Sequence, residues 1–395
     1  MMEDIKKYME AEKEKKIKEK SIKSLSFFDG LANLCNQIHP TQQLVKVAKI
    51  KLLSHNTKLF RLVPKDSLKL LAPFRAGQYI SITVEIDGIR TSRPYSLVSS
   101  PNQIEYYEIA IKKKENGFVS QYFFNKVKRG DKFIVSEPMG NLYYNPIFHG
   151  NKLIFIAGGC GITPFISMLR NMVEKNFPIE IVLLYGCLTQ EDVLFNRELK
   201  EFQLYNSNIK IKIILSEPKN QWNGESGFIT SEIISKNVDF VHDHYFYVVG
   251  KKSMYDFIET QFDNLNIPRH KVVYESHGVP DDITQIDSWP KNINCSKKID
   301  IRIKYRQQGK IITDKFEALC IEPILNSIER NLGHLVEVNN ACRSGECALC
   351  RTKLISGKIF VPPKVSIREA DRKYGYIHPC ISFPLSDIHI DLTKT

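Results

Sequence analysis

The chain has 395 residues, more than one ordinary core can organise, so several domains are expected. Its composition, 43% hydrophobic and 25% charged, is globular, no apolar run reaches the roughly 18 residues of a membrane span, and no secretory signal is visible. A cytoplasmic protein without a transmembrane segment is expected, and the net charge of +12 admits acidic partners or membrane surfaces, while no stripe of basic and aromatic residues supports nucleic-acid binding.

Residues 1–23 are dense in Lys and Glu of mixed sign and read as a solvated helix or tail. Phe28, Leu31, Cys35 and Ile38 then recur at helical spacing, so the end of this extension (1–43) should pack as a helix. From residue 44 the apolar period changes to two. Val45, Val47, Leu59, Leu62, Ile80, Ile82, Val84 and Ile86 sit in short alternating runs split by turn signals such as Asp87-Gly88. With further strand-like runs at 106–112 and 132–136, they predict a small antiparallel β-barrel over 44–148.

Beyond Gly150 the apolar run Leu153–Ala157 leads into a glycine-rich turn and a helical segment, 165–174. Buried strands at 179–185, 209–215 and 245–249 follow, mostly separated by helices, which predicts a parallel α/β sheet over 149–270. A polar stretch at 271–298, with Gly278, Pro280 and Trp289-Pro290, reads as a linker. The final unit, 299–395, opens with a strand at 301–305 and carries a helical piece at 324–331.

Chemistry concentrates in that last unit. Cys342-Arg-Ser-Gly-Glu-Cys347-Ala-Leu-Cys350, with Cys380 well downstream, has the plant-type spacing of a [2Fe–2S] site. Each iron needs two thiolates, and Gly345 lets the loop curl so that its N–H groups point at sulfur. A zinc site would pair C-x2-C knuckles, and disulfides would need an oxidising compartment. The other five cysteines (Cys35, Cys160, Cys187, Cys295 and Cys320) are scattered and read as reduced thiols, and His378 as a supporting or surface residue.

Two motifs stand in the barrel. Arg93-Pro-Tyr95-Ser96 sets a guanidinium for a phosphate beside a ring that suits a flavin, with Ser96 near the flavin's reactive edge. Gly117-Phe-Val119-Ser120 precedes a helix expected to open at Ser120 and to hold a pyrophosphate on its N-terminus.

These motifs, with Gly77-Gln78-Tyr79 and Pro138-Met-Gly140, resemble the flavin barrel of the ferredoxin–NADP reductase superfamily. Ala157-Gly158-Gly159-Cys160-Gly161-Ile-Thr163-Pro164 is similar to its pyridine-nucleotide loop, and the last segment resembles a β-grasp ferredoxin. The order of modules resembles reductases of the phthalate-dioxygenase, phenylacetyl-CoA-epoxidase and hybrid-cluster-protein types. The resemblance implies FAD rather than FMN, held by Gln78, Tyr79, Arg93, Tyr95, Ser96, Gly117, Val119 and Ser120. It implies a nucleotide on Gly158, Gly159, Gly161, Thr163, Gly250 and Met254, and a cluster on Cys342, Cys347, Cys350 and Cys380. Tyr95, Ser96 and Thr163 would border the reacting rings. Val249 stands where the superfamily usually has cysteine, and hydride transfer is expected to survive because it depends on ring alignment. The loop Cys187-Leu-Thr-Gln-Glu191-Asp192 is more acidic than basic, which favours NADH over NADPH, with Arg197 following.

The resulting expectation is an NADH-dependent reductase passing electrons through FAD and [2Fe–2S] to a protein acceptor with an acidic docking surface. Two rivals stand beside it: a self-contained reductase of quinones, ferric chelates or oxygen, and a non-catalytic redox-sensing subunit.

Overall fold

The computed structural model describes residue 35 and residues 38–219, 221–275, 278–280, 282–363, 365 and 367–394. The helix expected in the N-terminal extension lies outside them, apart from Cys35 and Ile38.

The first module is an antiparallel sheet built from β1 (Gln42–Ser54), β2 (Thr57–Pro64), β3 (Tyr79–Ile86), β4 (Ile89–Ser96), β5 (Tyr107–Lys112) and β6 (Lys132–Ser136), in the order β4-β3-β6-β1-β2-β5. Period-two patterning makes it. Val45 and Val47 on β1, and Ile80, Ile82 and Val84 on β3, turn their side chains to one buried face. The sheet curls until its edges touch at one bridge, Leu97–Ile109, beside which Val98 N–H donates to Glu108 O at 2.7 Å. Helix α1 (Phe118–Asn125) drops Val119 and Phe123, one turn apart, into this core. There Phe123 stacks on Phe133 at 5.1 Å and meets Phe60 edge-on at 5.4 Å. A single turn, α2 (Pro146–His149), capped by the Asn145 side chain, follows β6.

The second module is a parallel sheet of β7 (Lys152–Gly158), β8 (Glu180–Cys187), β9 (Ile209–Leu215), β10 (Glu225–Ser226), β11 (Tyr245–Val249) and β12 (Val272–Tyr274), ordered β10-β9-β8-β7-β11-β12. Leu153 to Ala157 on β7 are wholly buried, as a strand covered on both faces requires. The crossover helices are α3 (Thr163–Glu174), α4 (Asn196–Tyr205), α5 (Ser231–Asn237) and α6 (Lys252–Asn264). The chain steps outward from β7 through β8, β9 and β10, then returns to the other side of β7 for β11 and β12. That reversal puts the switch point, where ligands enter open α/β sheets, at the carboxyl ends of β7 and β11.

The third module is an α+β unit whose strands β13 (Lys298–Gln307), β14 (Lys310–Leu319), β15 (Thr352–Ser356), β17 (Tyr376–Ile377) and β19 (Ile388–Asp391) form a sheet ordered β14-β13-β19-β15-β17. A small ladder joins β16 (Ile359–Phe360) to β18 (Phe383–Pro384). Helix α7 (Ile324–Leu332) buries Ile324, Leu325, Ile328 and Leu332 from one side, and a short α8 (Glu369–Lys373) precedes β17. The stretch before β13 is packed: Ile283 and Trp289 are buried with Ile299, Cys320 and Phe383. Among the described residues no helix is long and apolar enough to cross a membrane.

The modules touch. From α3, Arg170 donates to Val98 O and Glu108 Oε2, both at 3.0 Å, and Ser167 Oγ donates to Ser99 O at 2.7 Å. Helix α7 lies against β4.

Candidate redox-cofactor sites

Strands β3 and β4 pair Tyr79 with Ser96, Ile80 with Tyr95 and Ile82 with Arg93. Strand alternation therefore puts Thr91, Arg93 and Tyr95 on one face. Tyr95 meets Phe123 edge-on at 6.0 Å, and burial pushes its phenol up. The Arg93 guanidinium donates to Thr91 Oγ1 at 2.7 Å and to Ser92 O at 2.6 Å. Burial, and next the neighbouring Arg343, push it down to about 10. Gln78 accepts from Arg75 N at 2.8 Å and donates to Gly140 O at 3.3 Å, tying together two loops at the same end of the barrel. Ser96 donates towards Glu275 Oε2 at 3.4 Å.

The helix that follows starts earlier than its sequence suggests. Gly117, in extended conformation, is the N-cap of α1, and Ser120 lies inside the first turn. Its hydroxyl accepts from Lys114 N at 3.1 Å and turns back to Gly117 O at 3.4 Å. A β-carbon on Gly117 would stand 2.2 Å from that hydroxyl, so glycine permits the fold-back. The backbone thus begins the helix without a serine cap.

At the switch point, β7 runs into a 3-10 turn, Gly159–Ile162, and then α3, with Thr163 Oγ1 donating to Cys160 O at 3.0 Å. The glycines here differ in purpose. A β-carbon on Gly158 or Gly250 would meet Met254 Sδ at 2.3 or 2.4 Å, and one on Gly161 would meet Val249 O at 2.2 Å. Those three serve protein packing. Gly159, with φ +54, has open space on its β-carbon side, which is the cradle a pyrophosphate at a helix start requires. At the end of β8, Glu191 pairs with Lys219 at 2.7 Å and Arg197 with Glu201 at 2.8 Å, so these two cations are engaged by carboxylates.

The cysteine loop is held by three left-handed residues, Arg343, Gly345 and Ala348 (φ 52, 88 and 55). They fold it so that Ser344 N and Cys347 N donate to Cys342 Sγ at 3.3 and 3.4 Å, while Cys350 and Cys380 bring their sulfurs to 3.3 Å. Cys342 is pushed down to about 5 by the hydrogen bond it shares with Cys347, helped by those N–H groups, and Cys347 is raised in turn. Cys350 is lowered at the expense of Cys380 in the same way. The thiols therefore form two pairs, Cys342 with Cys347 and Cys350 with Cys380. Among the described residues no three His, Cys, Asp or Glu side chains gather as a single metal ion would need. Two pairs suit two irons, and the donor set fits a [2Fe–2S] cluster better than one zinc ion. Ser344 Oγ, fully buried and bonded to no nitrogen or oxygen, turns to the Cys342 sulfur that it helps to lower.

Three family models match in chain order: an oxidoreductase FAD-binding domain over residues 44–144, an oxidoreductase NAD-binding domain over 155–260, and a 2Fe-2S iron-sulfur cluster binding domain over 312–385. The chain belongs to the ferredoxin–NADP reductase superfamily, in the layout with a C-terminal [2Fe–2S] domain. It is 23% identical to the glycine betaine monooxygenase reductase subunit of Chromohalobacter salexigens, over 80% of this chain and 87% of that one. It is 24% identical to the NADH oxidoreductase HCR of Escherichia coli, over 89% of this chain and 94% of that one. Its fold matches phthalate dioxygenase reductase with a TM-score of 0.63 at 24% identity, covering 89% of this chain and 98% of that one.

In this superfamily member two neighbours of the sites are fixed by contacts that the sequence does not show, although His378 is open to a supporting role. Glu275 falls where a polar linker begins, yet its carboxylate faces Ser96 across the module boundary. His378 is wholly buried, and its ring bridges Gly345 O at 2.8 Å and Asp371 Oδ2 at 3.1 Å, pinning the cysteine loop. Arg343 and Ser344 are buried. Tyr79 packs with Met139 against Ala341, Cys342 and Cys347, and so stands between the barrel and the cluster loop.

Proposed function

We propose that this chain is an NADH-dependent reductase that passes electrons through FAD and a [2Fe–2S] cluster to a protein acceptor. The observation that carries it is the contact of the cysteine loop with Tyr79 and Met139 on the flavin barrel, within one chain. The relatives named above as a monooxygenase reductase subunit and an NADH oxidoreductase support it, and an oxygenase is the favoured class of acceptor. Together the bound groups would convert a two-electron donor into single electrons. The modules are assigned to 44–148, 149–270 and 299–395, joined by 271–298.

The residues take these roles. Arg93 neutralises the flavin phosphate, Tyr95 packs on the isoalloxazine, and Gln78 holds the loop beside it. Ser96, oriented by Glu275, faces the flavin's reactive edge. Gly117, Val119 and Ser120 build the α1 start that holds the pyrophosphate. Gly158, Gly159 and Gly161 shape the nucleotide turn, Gly250 and Met254 wall it, and Thr163 borders the nicotinamide. The carboxylates of Glu191 and Glu201, by engaging Lys219 and Arg197, disfavour the 2′-phosphate of NADPH. Electrons leave on the exposed flank of the cluster loop, where Leu349 is 45% exposed and the α8 region presents Arg368, Arg372 and Lys373 to an acidic acceptor.

The test is an anaerobic titration of the holoprotein with NADH and then NADPH, following flavin and cluster absorbance separately. Both chromophores should bleach with NADH, and more slowly with NADPH. Failure of NADH to bleach the flavin would sink the proposal in favour of a non-catalytic subunit. Full turnover with ferric chelates by a Cys350→Ser protein, to the wild-type rate with its protein acceptor, would favour the self-contained reductase.

A further inference from the structure

We propose that the Thr91 hydroxyl is the positioning group that locks the cluster loop to the flavin strand, and so sets the rate of electron passage between them. The inference rests on the electron path proposed above. Thr91 lies on β4, two residues before Arg93, and is 4% exposed. Its hydroxyl donates to Glu329 Oε2 on α7 at 2.9 Å. It accepts from Arg93 at 2.7 Å and from Arg343 Nη2 at 3.0 Å. A hydroxyl has one hydrogen and two lone pairs, so its bonding capacity is fully used. One of these bonds stays on the flavin strand and two cross to the cluster module.

Arg343 is the residue after Cys342. Besides Thr91 it pairs with Glu329, and it donates to Asn326 Oδ1 at 2.9 Å, both on α7. Anchoring Arg343 therefore anchors the first cluster thiol. Flanking contacts are polar too: Arg90 reaches Glu337 at 3.1 Å and Ser92 Oγ reaches Asn340 Oδ1 at 2.5 Å. Among the described residues the hydrophobic cluster that crosses this seam is small: Tyr79, Met139, Ala341, Cys342 and Cys347. With so little apolar surface to hold the modules, the buried hydroxyl decides their register. Removing it leaves two guanidinium groups and a carboxylate short of one partner each.

Substitution Thr91→Val keeps the shape and deletes the hydroxyl, and Thr91→Ser restores it. Anaerobic stopped-flow mixing of each holoprotein with NADH separates flavin bleaching from the later bleaching of the cluster. In T91V the cluster phase should slow about tenfold or more, the scale of one lost buried hydrogen bond to charge, while T91S stays near wild type. Hydrogen–deuterium exchange supplies a readout independent of turnover: residues 324–350 should exchange faster in T91V alone. Glu329→Gln attacks the same node from the cluster side and should reproduce both effects, which covers a T91V protein that folds poorly. Wild-type exchange over 324–350 in both T91V and E329Q would overturn the proposal, as would T91S behaving like T91V. A wild-type protein whose flavin ignores NADH would instead defeat the electron path, while the exchange result still judges the clasp.

Discussion

Gly158, Gly159 and Gly161 sit within four residues, yet the surroundings ask different things of them. Gly161 faces a backbone carbonyl, Val249 O, that cannot swing away, so a β-carbon at 2.2 Å forces β7 and β11 apart. Gly159 faces open space and carries only the strain of a left-handed conformation. Gly161→Ala is therefore expected to lower the melting temperature of the nucleotide module by several degrees. Gly159→Ala should change stability by only about 1 kcal/mol yet weaken NADH binding about tenfold or more, as calorimetry of melting and of ligand binding would show. Equal behaviour of the two variants would defeat the distinction. Spacing made the glycine-rich loop and the four cysteines legible, because short motifs are local. The Ser96–Glu275 contact and the bond between His378 and Gly345 were not legible, since each joins residues far apart in sequence and nothing local marks Glu275 as a buried partner, although His378 was open to a supporting role.

Periodicity carried the elements well where one face alone is buried, as on β1 and β3, and where both are, as on β7. It carried least over residues 278–295, whose apolar residues are too sparse to show a period. Trp289 is nevertheless buried, edge-on to Phe360 at 5.0 Å and to Phe383 at 6.2 Å. Replacing it with alanine empties a large site against the cluster module. Trp289→Ala should cost about 3–5 kcal/mol in denaturant unfolding of that module, whereas a tether would lose almost nothing. The nucleotide module carries a pH dependence of its own. Burial is the main cause holding the imidazoles of His149 and His244 below their ordinary value. The folded module thus binds fewer protons than the unfolded chain as pH drops below about 6.5. Stability from these two groups is complete above that point and is withdrawn as pH falls towards their lowered folded values. Thermal melts between about pH 7 and 5 should show this slope, and His244→Gln should flatten it; an unchanged slope would remove His244 from the account.

At the scale of the molecule, the same loop serves two neighbours on opposite sides. Arg343 is turned to the barrel, where it meets Thr91, and Leu349 is exposed, so on the proposed path entry and exit of electrons use different flanks of one loop. The exit flank adjoins α8, because Asp371 on that helix holds both His378 and Arg351, and Arg368, Arg372 and Lys373 are exposed around it. Charges on a rim steer encounter more than they hold a complex, so their effect belongs in the association rate and fades with salt. Reduction of an acidic haem-protein acceptor should therefore slow steeply as ionic strength rises, while a basic acceptor of similar potential should show the opposite trend. Arg372→Glu with Lys373→Glu should lower the second-order rate for the acidic acceptor about tenfold at low salt and leave flavin bleaching by NADH unchanged. Stopped-flow rates across a salt series measure this directly. A rate insensitive to salt, or one untouched by the double charge reversal, would move the exit away from α8.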